Sequence, residues 1–224
     1  MRPARLRRLI CAAGFVLQWL VRWMVVQPDC GWAEDALIEG GLSPNKRYEV
    51  RKVRVTDGPL KGSYELQLFD ARSNEFLSPL RKGGHFAYDE AVAGACSATW
   101  HPSARYVAVL NVESPQMTSL SLFVVDRDLA RELKMPDYAL LALGKIKEGK
   151  RGFHDGPTVR WPEWIGNDLH FRVSFRVPPP KKTEGQLPTE YTALVIVTPG
   201  SPDTRYEAEL KKLSHPLRPV GPEN

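Results

Sequence analysis

Cysteine is scarce in this chain. Cys11, Cys30 and Cys96 are the three that occur, and a framework of disulfides is thereby excluded as the source of stability. Long hydrophobic runs are missing too. The longest, Leu9 to Val21, is interrupted by Gln18 and stopped by Arg22, whereas a spanning helix needs about 20 apolar residues. With Arg2, Arg5, Arg7 and Arg8 ahead of that run and Gly31-Trp32-Ala33 behind it, residues 1–33 read as a secretory signal peptide. The alternative is an uncleaved N-terminal membrane anchor. Cleavage after Ala33 leaves a periplasmic or secreted product with one thiol, Cys96, so an apolar core must hold it together, and about 190 residues are enough to form one.

A basic excess is also missing once the leader is set aside. The leader removes five arginines and Asp29, leaving 26 basic against 25 acidic side chains. A nucleic-acid partner needs a basic face on the folded domain, so none is expected. Nor is there a Gly-x-Ser-x-Gly elbow, a phosphate-cradling glycine loop or a calcium loop. His85, His101, His154 and His170 stand at no metal-ligand spacing, and His154-Asp155 lies in a loop flanked by Gly152 and Gly156. No metal or cofactor is expected. Cys96, between Gly94-Ala95 and Ser97-Ala98, reads as a small buried hydrophobe rather than a nucleophile.

What the chain does have is turn residues and β-favouring alternation, repeated three times. Leu42-Ser43-Pro44, Trp100-His101-Pro102 and Trp161-Pro162 begin stretches with starts 58 and 61 residues apart, near the periods of blade-type arrays. The first stretch has strands at Tyr48 to Val55, Tyr64 to Phe69 and Glu75 to Leu77. In the second, Ala98-Thr99-Trp100 closes one strand, and the run Tyr106 to Val112 is apolar enough to be covered on both faces. Leu120 to Val125 and Arg131 to Met135 follow. The third holds Val159 to Trp161, Leu169 to Val177, Tyr191 to Val197 and Arg205 to Leu210, with a surface loop at 178–188.

One short helix is expected between the second and third stretches. Pro136 and Asp137 start it, Leu140, Leu141, Leu143 and Ile146 mark one apolar side to pack against the sheet, and Gly149 stops it. The expected organisation is a leader at 1–33, then one β-rich domain at 34–213 with units at about 41–80, 96–136 and 158–211, then a disordered tail at 214–224.

The segments Leu42-Ser43-Pro44-Asn45-Lys46-Arg47-Tyr48 and Trp100-His101-Pro102-Ser103-Ala104-Arg105-Tyr106, each followed by an apolar strand ending in Asp70 or Asp126, resemble β-propeller blades of the TolB and dipeptidyl-peptidase type. There a Trp/Leu-Ser-Pro-Asp-Gly-Lys/Arg turn precedes an inner strand. Here Asn45-Lys46 and Ser103-Ala104 replace the Asp-Gly, and the third unit has Glu163-Trp164-Ile165-Gly166-Asn167-Asp168 instead. The fold class expected is mainly β: three blade-like antiparallel meanders in a partial or open propeller-like array, with a β-sandwich as the alternative, plus one short helix.

Trp100, Trp161, Trp164, Tyr48 and Tyr106 sit at the turn mouths. They form either the core between units or a shallow groove in which amphipathic rings take a ligand. These five are the candidate ligand-binding residues, for a protein, peptide or glycan. A non-catalytic exported binding or scaffold module is the leading expectation. The alternative is a hydrolase or lyase of extracellular polymers working around His85, Asp89, Glu90, His101 or His154. Two apolar end faces are expected on an open stack of three units, to be covered by a homodimer or a partner protein.

Overall fold

A computed structural model describes residues 35–59, 61–80, 95–114, 117–179, 187–200 and 207–218. The expected leader, the middle of the 178–188 loop, and His85, Asp89 and Glu90 lie outside them.

The described chain is mainly β, in three four-stranded antiparallel meanders with one short α-helix. The first comprises β1 (Asp35–Leu42), β2 (Tyr48–Arg54), β3 (Tyr64–Asp70) and β4 (Phe76–Pro79). The second comprises β5 (Ser97–Trp100), β6 (Tyr106–Ser114), β7 (Met117–Asp126) and β8 (Leu129–Leu133). The third comprises β9 (Thr158–Ile165), β10 (Asp168–Val177), β11 (Thr189–Pro199) and β12 (Ala208–Leu213). A parallel pairing of Glu39 with Ser97 joins the first two into an eight-stranded sheet ordered β4-β3-β2-β1-β5-β6-β7-β8. Its two end strands approach each other, with Ser78 Oγ 3.5 Å from the Ala130 carbonyl, so that sheet is a nearly closed barrel. The third meander is a separate sheet.

The middle meander is buried on both sides because its strands are apolar on both sides. Val107, Val109, Phe123 and Val125 face Ile38, Tyr48, Val50, Leu66 and Leu68 of the first meander. Ala108, Leu120, Leu122 and Val124 face Leu169, Phe171, Val173 and Val195 of the third. The two end faces are different. On the first meander, Arg51 and Glu49 pair with each other, Arg51 also lies over the Phe69 ring, and Leu37, Leu42 and Phe76 are half-exposed. On the third, the strict alternation of β10 turns His170, Arg172, Ser174 and Arg176 outward. The expectation of an apolar end face is therefore corrected for the third meander, where charges stand at the outward positions of β10, while the first meander's face mixes charged and apolar side chains.

Three local readings are also corrected. The first meander begins at Asp35, because β1 runs ahead of the Leu42 turn. Its main-chain bend is made at Gly40, which has φ 66° and would put a Cβ 2.1 Å from the Ala98 carbonyl oxygen. Second, the helix α1 (Tyr138–Gly144) starts where expected, with the Asp137 carboxylate accepting from the Leu140 N–H, but it buries Tyr138, Ala139, Ala142 and Leu143. Leu140 and Leu141 face solvent, because spacings of three and four residues line up 138, 139, 142, 143 and 146 instead. A 3-10 turn (Lys147–Arg151) follows rather than a stop at Gly149. Third, Ser214–Arg218 is not loose tail. Leu217 exchanges main-chain hydrogen bonds with Thr192, Ser214 N–H donates to the Leu194 carbonyl, and Arg218 reaches the Tyr191 hydroxyl and Glu148.

Candidate ligand-binding face

The first two turns have the same geometry although their residues differ. Ser43 N–H donates to the Tyr48 carbonyl and Lys46 N–H to the Ser43 carbonyl, each at 2.9 Å; His101 to Tyr106 (2.9 Å) and Ala104 to His101 (2.8 Å) repeat the pattern. The position at which the resembled turn carries glycine is left-handed in both, with φ 54° at Lys46 and 56° at Ala104. Side chains make up for the missing Asp-Gly. Asn45 Oδ1 accepts from the Arg47 N–H and the Ser43 hydroxyl, while His101 Nδ1 accepts from the Ser103 N–H.

These turns position an aromatic clasp between meanders. Trp100 closes β5, stacks on Tyr48 at 6.1 Å and donates its indole N–H to the Gly41 carbonyl at 2.9 Å. Trp164 repeats this one meander on: its ring lies 6.2 Å from Tyr106, and its indole N–H donates to the Thr99 carbonyl at 3.0 Å. His101 fills the second clasp edge-on to both rings, and its Nε2 donates to the Gly166 carbonyl. Trp164, not Trp161, thus occupies the place of Trp100 in the third meander. With Trp100 8% exposed and Tyr48 equally buried, those two are core. They are corrected as ligand-groove residues, since both rings are buried in the stack, the Trp100 N–H is satisfied by Gly41 and the Tyr48 hydroxyl donates to Asp128. Tyr106 and Trp164 are half-buried in the same structural role.

Trp161 is apart from both clasps. Expected at a turn, it lies inside β9, where Glu163 faces His170 but Arg160 faces Arg172. Trp161 and Pro162 together therefore oppose the single residue Phe171, which is a β-bulge. The bulge holds Trp161 at φ 51°, a conformation a bulky residue adopts at a cost and that clusters at functional positions. The side chain is 64% exposed, with the Arg172 guanidinium 5.3 Å from its ring. Beside it is a shallow depression of about 460 Å³ lined by Glu163, His170, Arg172 and Leu194. A smaller one, about 170 Å³, lies along the same face and includes Arg160, Ser174, Arg176 and Glu190. Arg176 is neutralised there by Asp155 at 3.4 Å and Glu190 at 4.0 Å.

Other groups considered for chemistry are engaged in structure. Both ring nitrogens of His101 are used in the clasp, and His154 lies 3.9 Å from Asp155. Cys96 is buried, and burial pushes its thiol above the ordinary value. A crevice of about 770 Å³ between the ends of β7 and β8 and α1 is walled by Leu120, Leu133, Met135 and Tyr138. There the Leu120 N–H donates to the Tyr138 hydroxyl, and burial raises that phenol to about 12. Among the described residues, no three His, Cys, Asp or Glu side chains stand close enough to hold a metal ion. No protein-family model matches the chain, and no curated protein matches it.

Arg160, His170, Arg172 and Glu163 were absent from the candidates read from sequence. The outward polar row of β10 was visible in its alternation; the opposition of the two arginines was not, because it depends on the bulge. Without the extra residue, Arg172 would stand opposite Trp161.

Proposed function

We propose that this chain is an exported, non-catalytic binding or scaffold module built of propeller-like repeats, and that it takes its ligand on the outer face of the third meander. One observation carries the reading. Trp161 is a large, exposed aromatic held in a strained conformation on a rigid sheet, next to an open depression with polar walls. The core does not need it, and amphipathic rings of this kind anchor ligands at low entropic cost. The propeller-like part rests on the two matching turns and the repeated clasp. Export rests on the basic, apolar and small-residue order of residues 1–33.

The test is calorimetric titration of the folded domain with a panel of soluble glycans and unstructured peptides, with Trp161→Ala run in parallel. At least one panel member is expected to bind with an affinity that falls tenfold or more in the variant, while thermal unfolding is unchanged. Binding that ignores Trp161 throughout the panel would overturn the reading.

A further inference from the structure

The register across the bulge brings two like charges together. Arg160 and Arg172 are direct cross-strand partners, about 5 Å apart at Cβ, an arrangement that is unfavourable in a sheet. Both are exposed, and among the described residues neither has a carboxylate within ion-pair distance. The other charges on this face do not resolve the conflict. Asp155 and Glu190 are directed to Arg176, and Glu163 is paired across the strand with His170, on the far side of Trp161. A pair of guanidinium forks, one of them lying over an exposed indole, has the chemistry to grip a planar anion next to an apolar ring.

We infer that the ligand is a carboxylate-bearing polysaccharide, with the indole of Trp161 as the platform for a sugar ring and Arg160 and Arg172 as the clamp on its carboxylate. This rests on the Trp161 face being the ligand site. A peptide fits less well. Strand addition needs a free edge, but at the start of β9 the main-chain groups of Val159 are already taken up by the second meander: the Thr118 hydroxyl accepts from the Val159 N–H and donates to its carbonyl. Pro162 has no N–H to offer. The face is also open and shallow, a surface on which a ring can lie flat and which gives a peptide side chain no enclosed pocket. Glu163 and His170, at the rim of the larger depression, are placed to meet sugar hydroxyls.

Four probes separate the possibilities: polygalacturonate, neutral dextran, dextran sulfate and poly-L-glutamate, each titrated against the parent domain at two salt concentrations. Polygalacturonate is expected to bind at least tenfold tighter than the other three and more weakly at high salt. Trp161→Ala and the double variant Arg160→Gln/Arg172→Gln should each weaken it at least tenfold, and Arg172→Lys should recover little, since an ammonium lacks the fork. All these side chains are exposed, and circular dichroism checks that the variants are folded. Equal binding of dextran sulfate or poly-L-glutamate, or polygalacturonate binding that survives loss of both arginines, would overturn the inference. If dextran binds as well as polygalacturonate and needs Trp161, this inference fails while the ligand face stands. If no probe's binding depends on Trp161, both fail.

Discussion

The two joins between meanders use the same clasp but different sheets. At the first, the Trp100–Tyr48 stack is buried and lies beside a continuous hydrogen-bonded sheet, because Gly40 bends β1 until Glu39 can pair with Ser97. At the second, the Trp164–Tyr106 clasp is half-exposed and the sheets are separate; His101 and the Thr118 hydroxyl make the polar contacts that a ladder makes elsewhere. The repeated element is therefore the indole N–H directed to the carbonyl one residue before the preceding unit's turn, with a tyrosine from that unit beneath it. The strand pairing around it is free to vary.

Removing each indole separates the two joins most strongly. Trp100→Ala should cost about 3–5 kcal/mol, the range for emptying a large core position, whereas Trp164→Ala, with less burial to lose, should cost about 1–2 kcal/mol. Urea titration of both variants measures the difference. Equal losses would show that the deeper burial of Trp100 adds nothing to the first join.

The sheet itself is tested at its bend. Gly40→Ala places a Cβ against the Ala98 carbonyl and a side chain on a left-handed residue, so about 3 kcal/mol should be lost. Gly166→Ala is the control. Gly166 also has positive φ, but nothing lies within 4 Å of its added Cβ, and about 1 kcal/mol is expected. If the two changes cost the same, the close approach of β1 to β5 is not what makes glycine necessary at position 40.

Much of this arrangement was legible from local pattern. The alternation of β3 and β10 specified strands with one covered face, and the apolar run of β6 and β7 specified a middle layer. The start of the third unit was misjudged because Trp161-Pro162 mimics Trp100-His101-Pro102 in composition. Its equivalent, Trp164, precedes a shorter Gly166-Asn167 turn. β1 was missed because the first unit was begun at its Leu42 turn; the strand pairs with the neighbouring β2, and its one pairing with the remote β5 is contained in no window of sequence. The helix side was misassigned because Leu140 and Leu141 outweigh Ala139 and Ala142 in hydrophobicity, while the small residues lie in the core with Tyr138, whose ring meets Phe171 of β10. Of the five candidate binding residues, four serve the joins; which one stood free was decided by a bulge.

The smallest expected effect concerns where the series of clasps ends. By register, the position of Tyr48 and Tyr106 is filled in the third meander by Asp168, since Trp164 pairs with Leu169 as Trp100 pairs with Val107. Instead of reaching a further meander, Asp168 turns back on its own sheet, accepting from Lys211 Nζ at 2.7 Å and from the Thr198 hydroxyl at 2.6 Å. The Lys211 hydrogen bond, then that of Thr198, holds its carboxyl below the usual value. A carboxyl lowered in the folded state stabilises the fold above its unfolded pKa of about 3.9, and that contribution is lost as pH falls through the lower folded value. Lys211 is largely exposed, so the contribution should stay below about 1 kcal/mol. Asp168→Asn is therefore expected to be slightly less stable than the parent at pH 7, with the gap closing below about pH 4. Thermal unfolding of both proteins across that range gives the answer. A gap that persists unchanged at low pH would mean that Asp168 serves as a neutral hydrogen-bond acceptor, and that its charge has no part in ending the stack.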